Sequence, residues 1–197
     1  MSELIRRIHE GIHNANLDYE TWSRGECWLN DSACEGLMVA GIARAVAEQR
    51  NGVGKKSLRL EMAFGEILAN SHDSRRVDIA LLDDGNPECV IEAKRYWERA
   101  ACENDLNRLR RLVKNGDVPR GVLAVFIAHG GGDGGLDAKV RLAKNDIEEW
   151  RQGLNALTVS VSCDQPWDYP MDRRFSGNYL RWPGWRGTSI CVDITMA

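Results

Sequence analysis

Asp78, Glu92 and Lys94 are the residues whose types and spacing best suit chemistry. Asp78 interrupts the apolar run 77–82, and Glu92 and Lys94 lie in a second strand-like run, 89–96. The cluster Asp83-Asp84-Gly85-Asn86-Pro87 between them is a turn signal. With Gly85 as the midpoint, Leu82 faces Glu88, Ala80 faces Val90 and Asp78 faces Glu92. Strand side chains alternate with a period of two, so Asp78, Glu92 and Lys94 share one face of a hairpin. Val77, Ile79, Leu81, Cys89, Ile91 and Ala93 form the other, an apolar set ready to pack. Two adjacent carboxylates repel unless a cation compensates them. Mg²⁺ (or Mn²⁺) suits them, being a hard ion that binds one or two carboxylates and keeps several waters. The Lys94 ammonium could orient or deprotonate a metal-bound water and offset charge building on a phosphate. The set suits metal-assisted hydrolysis of a phosphodiester.

The flanking sequence supplies elements to hold this hairpin. Leu4, Ile5, Ile8 and Ile12 fall on one stripe of a helix over 3–15, and 17–31 reads as irregular. Ser32-Ala33-Cys34-Glu35 is a capping-box pattern ahead of a second helix, about 33–49. Leu58, Leu60, Met62 and Phe64 alternate with polar or small residues as a strand. A helix over 104–114 carries Leu106, Leu109, Leu112 and Val113 on its apolar side. The run 121–128 reads as a strand buried on both faces. A glycine loop and a charged amphipathic helix, 136–154, follow. Strands over 157–163 and 189–194 close the chain. The order implies a single α/β domain spanning 1–197, with its core at about 32–163 and an aromatic, Arg-rich segment with the last strand at 164–197.

Val77-Asp78 followed by Glu92-Ala93-Lys94, in the order helix, strand, strand with Asp, strand with Glu-x-Lys, helix, strand, resembles the PD-(D/E)xK nuclease superfamily. The resemblance covers roughly residues 32–128. It implies a restriction-endonuclease-like core of αβββαβ order, with a central mixed sheet flanked by helices. It also implies that Asp78 and Glu92 ligate Mg²⁺, that the Ala93 carbonyl is a further ligand, and that Lys94 is the catalytic lysine. Many members carry an acid on the first core helix, the place Glu35 fits, although the capping box also explains Glu35. The expected activity is phosphodiester hydrolysis in nucleic acid, DNA ahead of RNA. One such site cuts one strand, so double-strand cleavage would need a homodimer or larger assembly.

The composition agrees with a globular enzyme. Of the 197 residues, 43% are hydrophobic and 28% charged, which excludes disordered, collagen-like and low-complexity classes. A net charge of −3 argues against a histone-like or coat-like binder but leaves room for a local basic surface. Arg95, Arg108 and Arg111 are the candidates for phosphate contact beside the hairpin, on a helix whose Asp105–Leu109 run could brace the site. Arg173, Arg174, Arg181 and Trp182 belong to an Arg-and-aromatic segment suited to unpaired bases. The other reading of each surface is structural: a solvated helix face, and a loop pinned by its rings. The second Asp-x-Lys, Asp137-Ala138-Lys139, reads as a helix start. Scattered cysteines without a CxxC pair read as free thiols of a reducing, cytoplasmic setting. No apolar run is long enough for a membrane span, and neither a signal peptide nor a membrane partner is expected.

Two alternatives stand beside the nuclease. One is a nuclease-fold binding or accessory module without catalysis. The other is a zinc metalloprotease, since His9-Glu10-Gly11-Ile12-His13 matches H-E-x-x-H and would set both imidazoles on one helix face. No third ligand follows His13 at metzincin spacing, because Asn16 and Tyr19 occupy those places.

Overall fold

Unbroken apolar sequence from Gly121 to Ala128 makes a strand that must be covered on both sides, and it organises the molecule. The computed structural model describes residues 1–22, 35–50, 56–67, 75–130, 134–152, 154, 156–169 and 185–197. Among them the elements run α1 (Glu3–Trp22), α2 (Glu35–Arg50), β1 (Lys56–Ala63), α3 (Phe64–Ile67), β2 (Arg76–Asp83) and β3 (Asn86–Lys94). Then come α4 (Arg99–Lys114), β4 (Arg120–Gly130), α5 (Gly135–Arg151), β5 (Leu157–Cys163), β6 (Trp167–Tyr169) and β7 (Trp185–Met196). The strands form one mixed seven-stranded sheet in the order β1-β2-β3-β4-β7-β5, with β6 also paired to β7. β3 and β4 are parallel and are joined through α4; the other pairings are antiparallel.

Helices cover both faces. On one, Ile5, Ile8 and Ile12 of α1 and Met38, Ile42 and Val46 of α2 pack on Ile79, Ile91, Val122 and Phe126 of the sheet. On the other, Leu106, Leu109 and Leu112 of α4 and Ile147 of α5 pack on Val90, Leu123, Val125 and Val192. The α/β class and the strand-helix order thus match the sequence reading, with α3 and β6 in addition.

Several boundaries differ, each for a local reason. α1 continues to Trp22 through the segment read as irregular, with Asn16 and Thr21 donating to the carbonyls of Ile12 and Leu17. α4 begins at Arg99 rather than Asn104, because the Glu98 carboxylate accepts from the backbone N–H groups of Ala100 (3.2 Å) and Ala101 (2.7 Å). Glutamate is not a favoured N-cap residue, so propensity alone misses this start. Phe64 leaves the strand and opens α3. The Ser32, Ala33 and Cys34 part of the expected capping box lies outside the described residues, as do Arg173, Arg174, Arg181 and Trp182.

The β2–β3 hairpin keeps the expected pairing of Ala80 with Val90 but not that of Leu82 with Glu88. Leu82 pairs with Pro87 and Asp83 with Asn86, and a bulge between Leu81 and Leu82 absorbs the difference. Asp84 and Gly85 both take positive φ, 49° and 82°, as a two-residue hairpin turn requires. The turn is therefore centred half a residue before Gly85. The bulge restores the register that brings Asp78 to Glu92.

Candidate metal centre

Beyond the Ile79–Ile91 pair the two strands part. The next backbone donor of β3, the Ala93 N–H, is taken by a side chain: it donates to Asp78 Oδ2 at 2.7 Å. Asp78 is thereby fixed at the mouth of the hairpin, opposite Glu92 in the continued register. The face bearing Val90, Glu92 and Lys94 is the one that α4 covers, so the charged end of the hairpin meets Asp105 and Arg108 of that helix.

These side chains form a continuous ion-pair chain. Glu35 Oε1, in the first turn of α2, lies 3.2 Å from Lys94 Nζ. Lys94 Nζ lies 3.0 Å from Asp105 Oδ2. Asp105 also pairs with Arg108, whose Nη2 lies 2.9 Å from Glu92 Oε1. Lys94 Nζ additionally donates to the Ala93 carbonyl at 3.3 Å. Arg108, given to phosphate by the sequence, is turned inward with 18% of its side chain exposed, so its nearest anions are the protein's own. Arg95 lies over the Tyr96 ring at 5.2 Å, and Arg111 is exposed in the last turn of α4.

Burial dominates the electrostatics. It pushes the Glu92 carboxyl up to about 9; the Arg108 guanidinium opposes the shift, and Asp78 and Asp105 reinforce it. Burial also raises Asp78, against the Ala93 hydrogen bond and the Lys94 charge, while Glu35 and Glu61 push the same way as burial. Lys94 moves oppositely: burial alone would lower it, but Asp105 and Glu35 together hold its ammonium well above the usual range.

Asp78, Glu92, Asp105 and Glu35 offer carboxylate oxygens, the donor type a hard divalent cation takes. Asp78, Glu92, Asp105 and Glu35 give four formal negative charges, and Lys94 and Arg108 give two positive ones. Burial holds Glu92 largely protonated near neutral pH, so the group is less negative than this formal count. Glu92 Oε1 is buried and accepts no hydrogen bond despite its ion pair with Arg108. Among the described residues, no group of three or more His, Cys, Asp or Glu side chains is placed so that it could hold a metal ion.

Two further acids act on this site: Asp105, which the sequence offered only within a run that could brace it, and Glu61, which it did not single out. Asp105 sits on the buried stripe of α4 with Cys102, Leu106 and Leu109, and a lone acid on an apolar stripe is the signal that marks it. Glu61, in the alternating run of β1, sits between the Leu60–Ile79 and Met62–Val77 pairs, beside Asp78 of β2, and takes a left-handed φ of 52°. Non-glycine residues seldom adopt this conformation.

The H-E-x-x-H segment is built differently. His9 is buried, with Nδ1 hydrogen-bonded to Ser189 Oγ at 2.6 Å and Nε2 to Ser162 Oγ at 3.1 Å. Both nitrogens are engaged in docking α1 on β5 and β7. Glu10 pairs with Arg6 and Arg7, and His13 lies 4.4 Å from the Trp167 ring. This geometry speaks against a zinc site there. Cys89, Cys102 and Cys191 are buried free thiols, and Cys163 is free and half-buried. Among the described residues no helix is long and apolar enough to cross a membrane.

No family model, curated protein or solved structure matches the chain.

Proposed function

We propose that the chain is a metal-dependent nuclease with a restriction-endonuclease-like core of the PD-(D/E)xK kind, hydrolysing phosphodiester bonds of nucleic acid, DNA ahead of RNA. One observation carries the reading. Asp78 lies one residue beyond the last paired position of the β2–β3 hairpin, across from Glu92 in the continued register, and the Lys94 ammonium acts on both acids. Asp78 and Glu92, with the Ala93 carbonyl and Glu35 at the rim, are the groups that would hold Mg²⁺ or Mn²⁺. Such an ion supplies Lewis-acid stabilisation of phosphate charge and a nucleophile at neutral pH. Lys94 keeps its proton at Nζ, because Asp105 and Glu35 raise its affinity for it. It therefore acts as a fixed donor to phosphate oxygen or water, and the alternative of Lys94 as a general base is disfavoured. Asp105 positions Lys94, and Arg108 balances Glu92 until substrate and metal arrive.

Arg108 also gives the second reading its footing. A guanidinium already on Glu92 is what a nuclease-fold module without catalysis would keep in place of a metal. One experiment separates the two. Single- and double-stranded DNA and RNA are incubated with wild type, Asp78→Asn and Lys94→Ala in Mg²⁺ or Mn²⁺. We expect wild-type cleavage that falls about 10²–10³-fold or more in each variant, the loss usual when an electrostatic catalytic group is removed. Absence of wild-type cleavage on all four substrates with either ion would overturn the nuclease and favour the accessory module.

A further inference from the structure

Resting on the nuclease reading, we infer that the cleft at the carboxyl ends of β3 and β4 receives an unpaired nucleobase next to the bond being cut. The cleft encloses about 340 Å³ and is lined by Tyr96, Trp97, Ile127, Ala128, Lys139 and Leu142. That volume falls in the ~300–1,000 Å³ class of small-ligand sites. Tyr96 and Trp97 follow Lys94 by two and three residues, so the cleft begins just past the strand end that carries Lys94. The carboxyl end of parallel strands is also where α/β sheets place their ligands.

The lining selects a flat, apolar group carried on an anionic chain. Tyr96 and Leu142 leave 46% and 59% of their surface exposed at the cleft, so both are open to a ligand there. The Trp97 indole N–H already donates to Asp146 Oδ2 at 2.8 Å, which leaves its ring as the surface it offers. Ile127 is the buried apolar side chain beneath the cleft, and Ala128 meets it through its backbone, the carbonyl accepting from Lys139. Cations stand on the rim: Lys139 Nζ is held by the Ala128 carbonyl at 2.8 Å, and Arg95 lies over the Tyr96 ring. Aromatic faces and an aliphatic wall with a cationic rim match a base that stacks while its phosphates are paired outside. A base within a duplex is already stacked on both sides, so the fitting substrate has an unpaired residue: a single strand, a flap or a frayed end. Lys139, read from sequence as part of a helix start, gains its role from packing α5 across the end of β4.

Binding without metal tests this separately from cleavage. The probe is a single-stranded DNA of about ten nucleotides with one 2-aminopurine, titrated in EDTA and followed by fluorescence quenching. The same sequence as a blunt duplex is titrated alongside. Wild type should bind and quench the single strand. Tyr96→Ala and Leu142→Glu should each weaken that binding about tenfold, the scale of one lost stacking contact, and leave duplex binding unchanged. Both positions are exposed, and matching thermal melts would confirm that the variants fold. Variants that bind the single strand as wild type does, a wild type that does not quench it, or an equal loss on duplex would each overturn the cleft. If binding responds to Tyr96→Ala but no substrate is cleaved, the cleft stands and the nuclease falls. If substrate is cleaved but Tyr96→Ala leaves binding unchanged, the nuclease stands and the cleft falls.

Discussion

At Lys94 two carboxylates converge on one ammonium from opposite sides of the sheet's end, Glu35 from α2 and Asp105 from α4. Asp105 is nearly buried, so its interaction with Lys94 is little screened and should fix the ammonium's place. Removing the amine and removing its brace should therefore differ. Lys94→Ala deletes the donor, and kcat should fall at least 10²-fold at every pH. Asp105→Asn keeps the donor but loosens it and lowers its proton affinity. Its kcat should fall about tenfold, with a new decline at alkaline pH as Lys94 loses its proton, because a group whose raised proton affinity is relaxed titrates at lower pH. A pH–kcat profile checks this, and one for Asp105→Asn as flat as wild type would refute the brace. Asp78, Glu92 and Lys94 were legible because period-two alternation and a turn signal suffice to place them on one face. Asp105 and Arg108 were legible only as part of a run that could brace the site, because helix pattern alone does not say which sheet residues lie beneath α4. Nor could the sequence show that Arg108 would find Glu92 before any phosphate.

At the scale of elements, α1 and α2 meet through glycines that leave no room for a side chain. A Cβ on Gly11 would lie 2.6 Å from Ile42 Cα, and one on Gly41 would lie 2.6 Å from the Gly11 carbonyl oxygen. Backbone cannot swing aside as a side chain can. Helix propensity favours alanine over glycine by about 1 kcal/mol, whereas overpacking costs ~1–3 kcal/mol. The second should win, so Gly11→Ala should destabilise the protein by about 1–2 kcal/mol in urea unfolding; a stabilised variant would mean the helices can separate. The same helix docks through His9. Burial lowers the proton affinity of His9, partly offset by Asp164, so the unfolded chain binds the proton more tightly than the native one. Stability from this group is full above the unfolded value of about 6.5 and is lost as pH falls below it. Asp78 and Glu92, shifted upward by burial, pull in the other direction, so the contrast with a variant is the informative quantity. Between pH 7.5 and 5.5, His9→Gln should lose less stability than wild type; equal losses would remove His9 from the account. The apolar stripe of α1 was readable as far as Ile12. The docking of His9 on Ser162 and Ser189 was not, since these partners lie more than 150 positions away in sequence and meet only when the sheet closes.

For the molecule as a whole, burying Asp78 and Glu92 beside the ion-pair chain links stability to pH, and under the proposed function to metal. The strand order that places β3 beside β4 also forces α4 over the hairpin's charged face, so the fold itself concentrates these carboxylates away from water. The αβββαβ order was legible from periodicity and turn signals. The insertion of β7 between β4 and β5 was not, because no local pattern states which strands pair across a long connection. Concentrated charge has a consequence for folding without metal. The Asp78 carboxyl has its proton affinity raised in the native state, so its charged form opposes folding above the native titration point, and this cost vanishes as pH falls below the unfolded one. Asparagine is isosteric and can still accept the Ala93 N–H. In EDTA at pH 7.5, Asp78→Asn should therefore melt at or above the wild-type temperature. With Mn²⁺ at about a hundred times its Kd, wild type should gain ~2.7 kcal/mol, or about 5–10 °C in a chain of this size, and the variant little or nothing. Thermal melts of both proteins with and without the ion read all four values. A variant less stable than wild type in EDTA would show Asp78 to be a structural acid. A variant that kept the full ion-dependent rise would show the cation to sit elsewhere.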